Sequence, residues 1–273
     1  MTPAAFDPPP VAASDELRVH DDDRVRWIAI HRPATRNGLT LELNAALIAA
    51  IEGAAAQPDL RVVVLTGEGG SFSSGLDFKS AMASTAGGGD LGDHLDRLFH
   101  GLIRAIRRCE KPVIALVDGP AAGFGCDLAL ACDLRVGTAR TRFGEIFIKR
   151  GLMPDGGGTF HLSRLIGLGN ALDMLLTGDM VEIDEARRLG LVSRVFPVET
   201  AAADTMTLAR RIANGPPRVH AHIKRAVYGA LDGTLENALA VERNGQLELL
   251  RSRDFVEGVS AFLEKRDPRF TGE

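Results

Sequence analysis

Apolar residues recur along this chain in two alternating periods. From Arg24 to His31 the run RVRWIAIH alternates in part and is rich in β-branched and aromatic residues, which predicts a strand. Thr40 then reads as an N-cap, and Leu41, Leu43, Ala46, Leu47, Ala50 and Ile51 recur at helical spacing to about Gln57, where Pro58 stops the helix. Arg61 to Gly67, RVVVLTG, is a continuous apolar run of the kind buried on both faces of a parallel sheet. The Gly-rich loop Gly67 to Gly75 follows it. Residues 81–93, AMASTAGGGDLGD, are small and Gly-rich and predict a mobile excursion. A helix from His94 to Arg108 leads through Pro112 into a second buried strand, PVIALVDG. The plan then repeats as a Gly-rich turn, a short helix LALAC and a strand DLRVGT.

Strands alternating with helices predict an α/β fold with parallel pairing and helices packed outside the sheet. Beyond residue 197 four amphipathic stretches follow, 198–213, 217–230, 234–250 and 252–265, with no strand between them. The expected organisation is a Pro-rich flexible arm over 1–14, an α/β core over 15–197 and a C-terminal helical module over 198–273. The arm lacks the basic and apolar regions of a signal peptide.

Composition narrows the function classes. The 273 residues carry 32 Lys and Arg against 36 Asp and Glu, a net charge of −4, so the basic excess of a nucleic-acid binder is missing. With 45% hydrophobic residues the chain is not disordered, and no apolar stretch approaches the roughly 20 residues that span a bilayer. Cys109, Cys126 and Cys132 form no C-x-x-C pair, which suits a reducing compartment, the cytoplasm.

Several familiar motifs carry little. Gly87, Gly89 and Gly92 satisfy G-x-G-x-x-G, but no strand precedes them, so a flexible loop is expected rather than a dinucleotide site. His220 and His222 sit two apart in a predicted helix, where they cannot chelate together, and no metal site is expected. His20 with Asp21, Asp22 and Asp23 reads as a solvated loop at a hairpin turn. Two Gly-rich turns carry more: SFSSGLD, Ser71 to Asp77, and DGPAAGFGCDLALACD, Asp118 to Asp133, each following a buried strand. Backbone N–H groups at a helix start lack intrahelical partners, and two of them converging from separate loops would bind an oxyanion.

These segments resemble the crotonase (enoyl-CoA hydratase/isomerase) superfamily. GEGGSFSSGLDFK, KPVIALVDGPAAGFGCDLALACDLRV, RFGEIFIKRGLMPDGGGTFHLSRLIG and EGVSAFLEKRDPRFTGE match in family order, with HRPATRNGLT before them, so the likeness covers nearly all the chain after residue 15. The resemblance implies a spiral of ββα units and C-terminal helices that trimerise, two trimers often pairing into a hexamer. It also implies an acyl-CoA substrate, with the N–H groups of Leu76 and Phe124 gripping the thioester carbonyl as an enolate forms. The competing reading is that these glycines only permit tight turns. The Phe124 ring would narrow the acyl pocket.

The acid and base positions depart from the hydratase pattern of two glutamates. The first falls on Asp127, one methylene shorter, and the second on Phe147, which cannot carry a proton and would line the substrate site; Glu145, two residues away, is expected to point elsewhere. Asp155, in GLMPDGGGT, matches a functional aspartate of dienoyl-CoA and phenylacetate ring-epoxide isomerases, and the C-terminal segment is especially similar to the latter. Beside Phe147 and Met153 that carboxylate would be partly desolvated and so a better base. Its bland alternative is an N-cap of the helix starting near Gly157; for Asp127 it is a polar contact at a helix start.

The implied function is an enoyl-CoA double-bond isomerase with Asp155 moving the proton, the alternatives being an enoyl-CoA hydratase using Asp127 and a non-catalytic CoA-thioester binding subunit. No cofactor is implied beyond the CoA of the substrate. On a net acidic chain the CoA phosphates need local cations. The resemblance suggests Lys265, reaching a neighbouring subunit's CoA with Phe262 packed nearby, and more weakly Lys79 and Arg36; each lysine or arginine could equally face solvent.

Overall fold

The structure is a computed structural model and describes residues 15–86 and 90–273. The expected N-terminal arm and Gly87 and Gly89 lie outside the described residues. Two strands, β1 (Leu17–Asp22) and β2 (Val25–Ile30), form an antiparallel hairpin that turns at Asp23 with φ 56°. The acidic run predicted to be a solvated loop is therefore mostly strand, and Asp21 accepts two hydrogen bonds from Arg26 at 2.8 and 2.9 Å. The helix α1 (Leu41–Ala56) follows, capped as expected by the Thr40 hydroxyl, which accepts from Leu43 N at 3.1 Å.

The continuous apolar runs form β3 (Val62–Gly67) and β4 (Val113–Val117), both buried throughout. Between them the small, Gly-rich segment is not simply a loop. It is helical as α2 (Phe78–Ala86) and α3 (Leu91–His94), which runs on through a π-helical turn at Leu95–Phe99 into α4 (His100–Arg108). Asp77 starts α2 by accepting from Ser80 N at 3.2 Å, a capping bond, and the helix itself, FKSAMASTA, holds no glycine.

After β4 come β5 (Pro120–Ala122), α5 (Phe124–Ala131), β6 (Leu134–Gly137) and β7 (Arg142–Gly144). The chain continues through α6 (Gly158–Leu165), α7 (Leu168–Thr177), β8 (Val181–Glu182), α8 (Ile183–Leu189) and β9 (Arg194–Val195). The six-stranded sheet has the order β1-β2-β3-β4-β6-β9, parallel from β2 onward, and a small sheet has the order β5-β7-β8. The α/β class and parallel pairing match the expectation. Successive side chains alternate between faces. Ile28, Ile30, Val63 and Leu65 join the core under α1, α4 and α5, while Trp27, Val62, Val64 and Ile114 pack on the other face.

Four helices close the chain: α9 (Ala201–Ala213), α10 (Pro217–Ala230), α11 (Leu235–Leu249) and α12 (Arg253–Glu264). Leu208, Ala209 and Ala213 of α9 complete the second core cluster, so this helix belongs physically to the sheet. A polar clamp ties α10 to the sheet: Lys224 Nζ donates to Asp133 Oδ2 at 2.7 Å, Tyr228 Oη donates to Asp133 Oδ1 at 2.5 Å, and Asp133 Oδ2 also accepts from Val113 N at 2.7 Å. Lys224 and Asp133 side chains are only 8% and 15% exposed. Removing one partner of such a pair leaves the other charge buried, so Lys224→Met is expected to destabilise the protein by about 3–5 kcal/mol. Urea unfolding followed by circular dichroism checks this, and a midpoint equal to wild type would refute it. The module leaves Ile223, Val227, Leu231, Leu235, Leu239 and Phe262 exposed. Among the described residues no helix is long and apolar enough to cross a membrane.

Candidate active site

The two Gly-rich turns meet because their strands are laid side by side. Ser73 bridges Ala121, and Ala122 N donates to Ser73 O at 2.9 Å. Leu39 pairs with the first turn on its other edge, donating to Gly75 O at 2.8 Å and accepting from Asp77 N at 2.9 Å. That pattern uses the amides around Leu76 and skips its own N–H. Phe124 is the first residue of α5, where the N–H has no helical acceptor, while Cys126 N and Asp127 N both turn back to Gly123 O. Neither Leu76 N nor Phe124 N has a hydrogen-bond partner among the described residues. Gly75 has φ +85°, and a methyl on it would stand 2.8 Å from Ala122 O and 3.0 Å from Phe124 N. The structure thus brings the two unpartnered amides together across Gly75.

Three carboxyl groups gather around the first turn of α5, the turn that Phe124 opens. Asp127, in the first turn of α5, is fully buried; its Oδ2 accepts from Gly156 N at 2.9 Å, while its Oδ1 lies against the Gly158 backbone, whose N–H favours the ionised form without making a well-formed hydrogen bond. Asp155 is half-buried on the loop before α6, with Oδ1 unpartnered. Glu145 is the correction to the sequence reading. It does not point elsewhere but is 1% exposed, with both carboxyl oxygens unpartnered, next to Asp127. A methyl on Gly158 would collide with Asp127 Oδ1 and stand 2.9 Å from Glu145 Oε1. The reason is where the strand stops: β7 ends at Gly144, and Glu145 is the residue at which the chain turns into the 3-10 segment Ile146–Arg150, which leaves its side chain inside.

Burial sets the electrostatics. Desolvation first, and the Asp155 charge second, push the Asp127 carboxyl up to about 8. Burial and the charges of Asp127 and Asp155 push Glu145 well above the ordinary carboxylate range, with the Cys126 thiol beside it. Asp155 is raised by burial and partly lowered again by His100. His100, in the first turn of α4 with Nδ1 3.2 Å from Asp96 Oδ1, is a neighbour that the sequence reading missed. Nothing in an amphipathic helical pattern singles it out.

Asp155 does not cap α6: the N-cap is Gly157 in the left-handed region, and no side chain caps that helix. Its desolvation does not come from Met153, which is 72% exposed. Phe147, in the 3-10 turn Ile146–Arg150, is buried, and its ring edge comes within 3.8 Å of where a side chain on Gly123 would be. The Phe124 ring is buried too, edge-on to Phe99 at 4.8 Å between centroids, and lies under Gly156.

The expected cations stand apart from this cluster. Lys265 is the exposed C-cap of α12, with exposed Phe262 one turn before it, and Lys79 is exposed in the first turn of α2. Arg36 is exposed with φ 54°, and its carbonyl accepts from Ser74 N at 2.9 Å, so only its backbone touches the first turn. His222 Nε2 lies 3.5 Å from Glu248 Oε2 on α11, and His220 is held neutral by burial. An apolar cavity of about 440 Å³ between α5, α6 and α10, lined by Leu130, Phe160, Ile223 and Tyr228, is bordered by none of the three carboxyls.

Two unpartnered amides, one of them on the helix turn that carries Asp127, can stabilise an oxyanion, and a neighbouring carboxyl can move a proton. The sequence matches the enoyl-CoA hydratase/isomerase family over residues 21–273. It is 37% identical to the 2,3-dehydroadipyl-CoA hydratase of Escherichia coli, over 94% of this chain and 99% of that one. It is 35% identical to the 1,2-epoxyphenylacetyl-CoA isomerase of the same organism, over 93% and 97%. The crystal structure of an enoyl-CoA hydratase from Polaromonas sp. JS666 superimposes with a TM-score of 0.87 at 32% identity, covering 93% of this chain and 99% of that one. Two turns, one carboxyl cluster and relatives similar along their whole length agree: the chain belongs to the enoyl-CoA hydratase/isomerase family, the crotonase superfamily its motifs resemble.

Proposed function

We propose that the enzyme shifts the double bond of an enoyl-CoA thioester. The observation that carries this reading is the unequal exposure of the three carboxyls: Asp127 and Glu145 are sealed, and Asp155 alone is half-open. One accessible carboxylate suffices for a proton transfer between two carbons. Asp155 takes the proton from C2 of a 3-enoyl chain, the electron pair moves into the thioester carbonyl as a dienolate, and the same proton returns to C4. The product is the 2-enoyl thioester, and no further cofactor takes part. The N–H groups of Leu76 and Phe124 hold the enolate oxygen. One such donor contributes about 2.7–4 kcal/mol in analogous sites.

Buried Phe147 stands at the position of the second glutamate of the two-glutamate hydratases and cannot carry a proton, which favours isomerisation over hydration. Hydration is the second reading, supported by a second carboxyl, Asp127, lying near enough to Asp155 to be raised by its charge. For the CoA phosphates we propose Lys265 of a neighbouring subunit, with Phe262 packing nearby, Lys79 and Arg36 contributing more weakly. The exposed apolar side chains of α10 to α12 support a homotrimer, or a hexamer of two trimers. Purified protein assayed with 3-enoyl-CoA and with crotonyl-CoA tests the assignment. Isomerisation is expected to be the faster reaction. Rapid hydration without isomerisation would overturn it in favour of the hydratase, and CoA binding with neither reaction would overturn it in favour of a binding subunit.

A further inference from the structure

Two buried, unpartnered carboxylate oxygens beside one another pose a physical problem. Asp127 Oδ1 and Glu145 Oε1 both border the point where a Gly158 side chain would begin. An ionised carboxylate can only accept hydrogen bonds, so two facing carboxylates have nothing to share. No lysine or arginine is recorded in an ion pair or hydrogen bond with Asp127, Glu145 or Asp155 among the described residues, and no group of three or more metal-ligating side chains is found among them. The other titratable neighbours supply no fixed cation. The Cys126 thiol is pushed up by burial, and His161, facing Gly157, is held neutral with its ring pushed down to about 4. His100 of α4 acts on Asp155 through its charge alone, its ring lying against Asp96. A retained proton is the simplest species that satisfies both oxygens.

We propose that Glu145 is a positioning residue of this site: it carries a proton and donates it as a hydrogen bond to Asp127 Oδ1. Asp127 is then clamped from both sides, by the Glu145 O–H and by the Gly156 N–H on Oδ2. Gly156 directly follows Asp155, so the clamp acts through Asp127 on the loop that carries the base. The direction of the electrostatics agrees: burial and the charges of Asp127 and Asp155 favour a protonated Glu145 and outweigh the Cys126 thiol, whose contact favours the ionised form. This inference rests on the proposed role of Asp155 for its functional consequence but not for its chemistry.

Infrared spectroscopy of the unliganded protein separates the two. In wild type, the C=O stretch of a protonated carboxylic acid is expected to survive at alkaline pH, past the Asp127 titration, and to vanish there in Glu145→Gln. Kinetics read the positioning: Glu145→Gln, whose amide still donates to Asp127, is expected to keep turnover near wild type. Glu145→Leu, with no donor, is expected to lose about 10- to 100-fold in kcat with CoA affinity unchanged, as a displaced base does. No acid band in wild type past the Asp127 titration, or full turnover in Glu145→Leu, would overturn the proposal. Should Glu145→Leu fail to fold, the wild-type and Glu145→Gln spectra still decide it. If the protein isomerises nothing, the function assigned above fails while the spectra continue to judge Glu145.

Discussion

Asp155→Asn is expected to lower kcat for 3-enoyl-CoA isomerisation by about 10²–10⁴-fold, the range a positioned acid or base contributes. The substitution is close to isosteric, and Asp155 caps no helix, so a loss of turnover reports lost proton transfer rather than a lost fold. Its Oδ1 has no partner to strand. Stability should hold or rise. A carboxyl whose proton is held more tightly in the folded state than in the unfolded chain loses stability as pH rises above the ordinary carboxylate range, and Asn removes that loss. The pH profile gives a second readout. Wild-type activity should rise as Asp155 ionises, then fall as Asp127 loses its proton near about 8, because a second buried negative charge opposes the enolate. The rising limb should disappear in Asp155→Asn. Unchanged turnover in stopped-flow or steady-state assays would exclude Asp155 as the base.

Gly75→Ala should be nearly as damaging for a different reason. At φ +85° an alanine is strained by about 1–2 kcal/mol. More important, its methyl would press on Ala122 O at 2.8 Å and Phe124 N at 3.0 Å, forcing the two turns apart. The N–H groups of Leu76 and Phe124 would then no longer fit one oxygen, a loss of about 10²–10³ in kcat if one donor is misplaced. Gly70→Ala is the control, since Gly70 has φ +82° but nothing within 4 Å of an added methyl. It should show a similar drop in thermal stability with turnover preserved. Equal activity losses in the two variants would mean that backbone strain, not the amide pair, explains the effect.

Glu145 shows where reading the chain stops. Aligned by spacing, it is two places from the position that carries a glutamate in two-glutamate hydratases, and Phe147 occupies that position. Its inward direction follows from β7 ending at Gly144 and from the 3-10 turn that begins at Ile146, neither of which has a local signal. Asp127 and Asp155, by contrast, stand out in the sequence beside Gly-rich turns, because close approach of backbone segments demands small residues there. What Asp127 lacks in sequence is its environment: full burial and the Gly156 contact come from a loop distant along the chain. The charge of His100 is felt at Asp155 only because α4 packs against α5.

By itself the sequence determined the elements whose signals are local: the Thr40-capped helix, the buried apolar runs that become β3 and β4, the four closing helices, and the two Gly-rich turns. Their physics is short-range, set by side-chain period, capping and the conformational freedom of glycine. Only the tertiary structure decided which groups share a site. The bridge between Ser73 and Ala121 joins two unpartnered amides, and the packing of the Gly156–Gly158 loop on α5 gathers three carboxyls in a desolvated space. Charge repulsion and burial act through space and are blind to chain order, so the proton chemistry of this cluster exists only once the chain has folded.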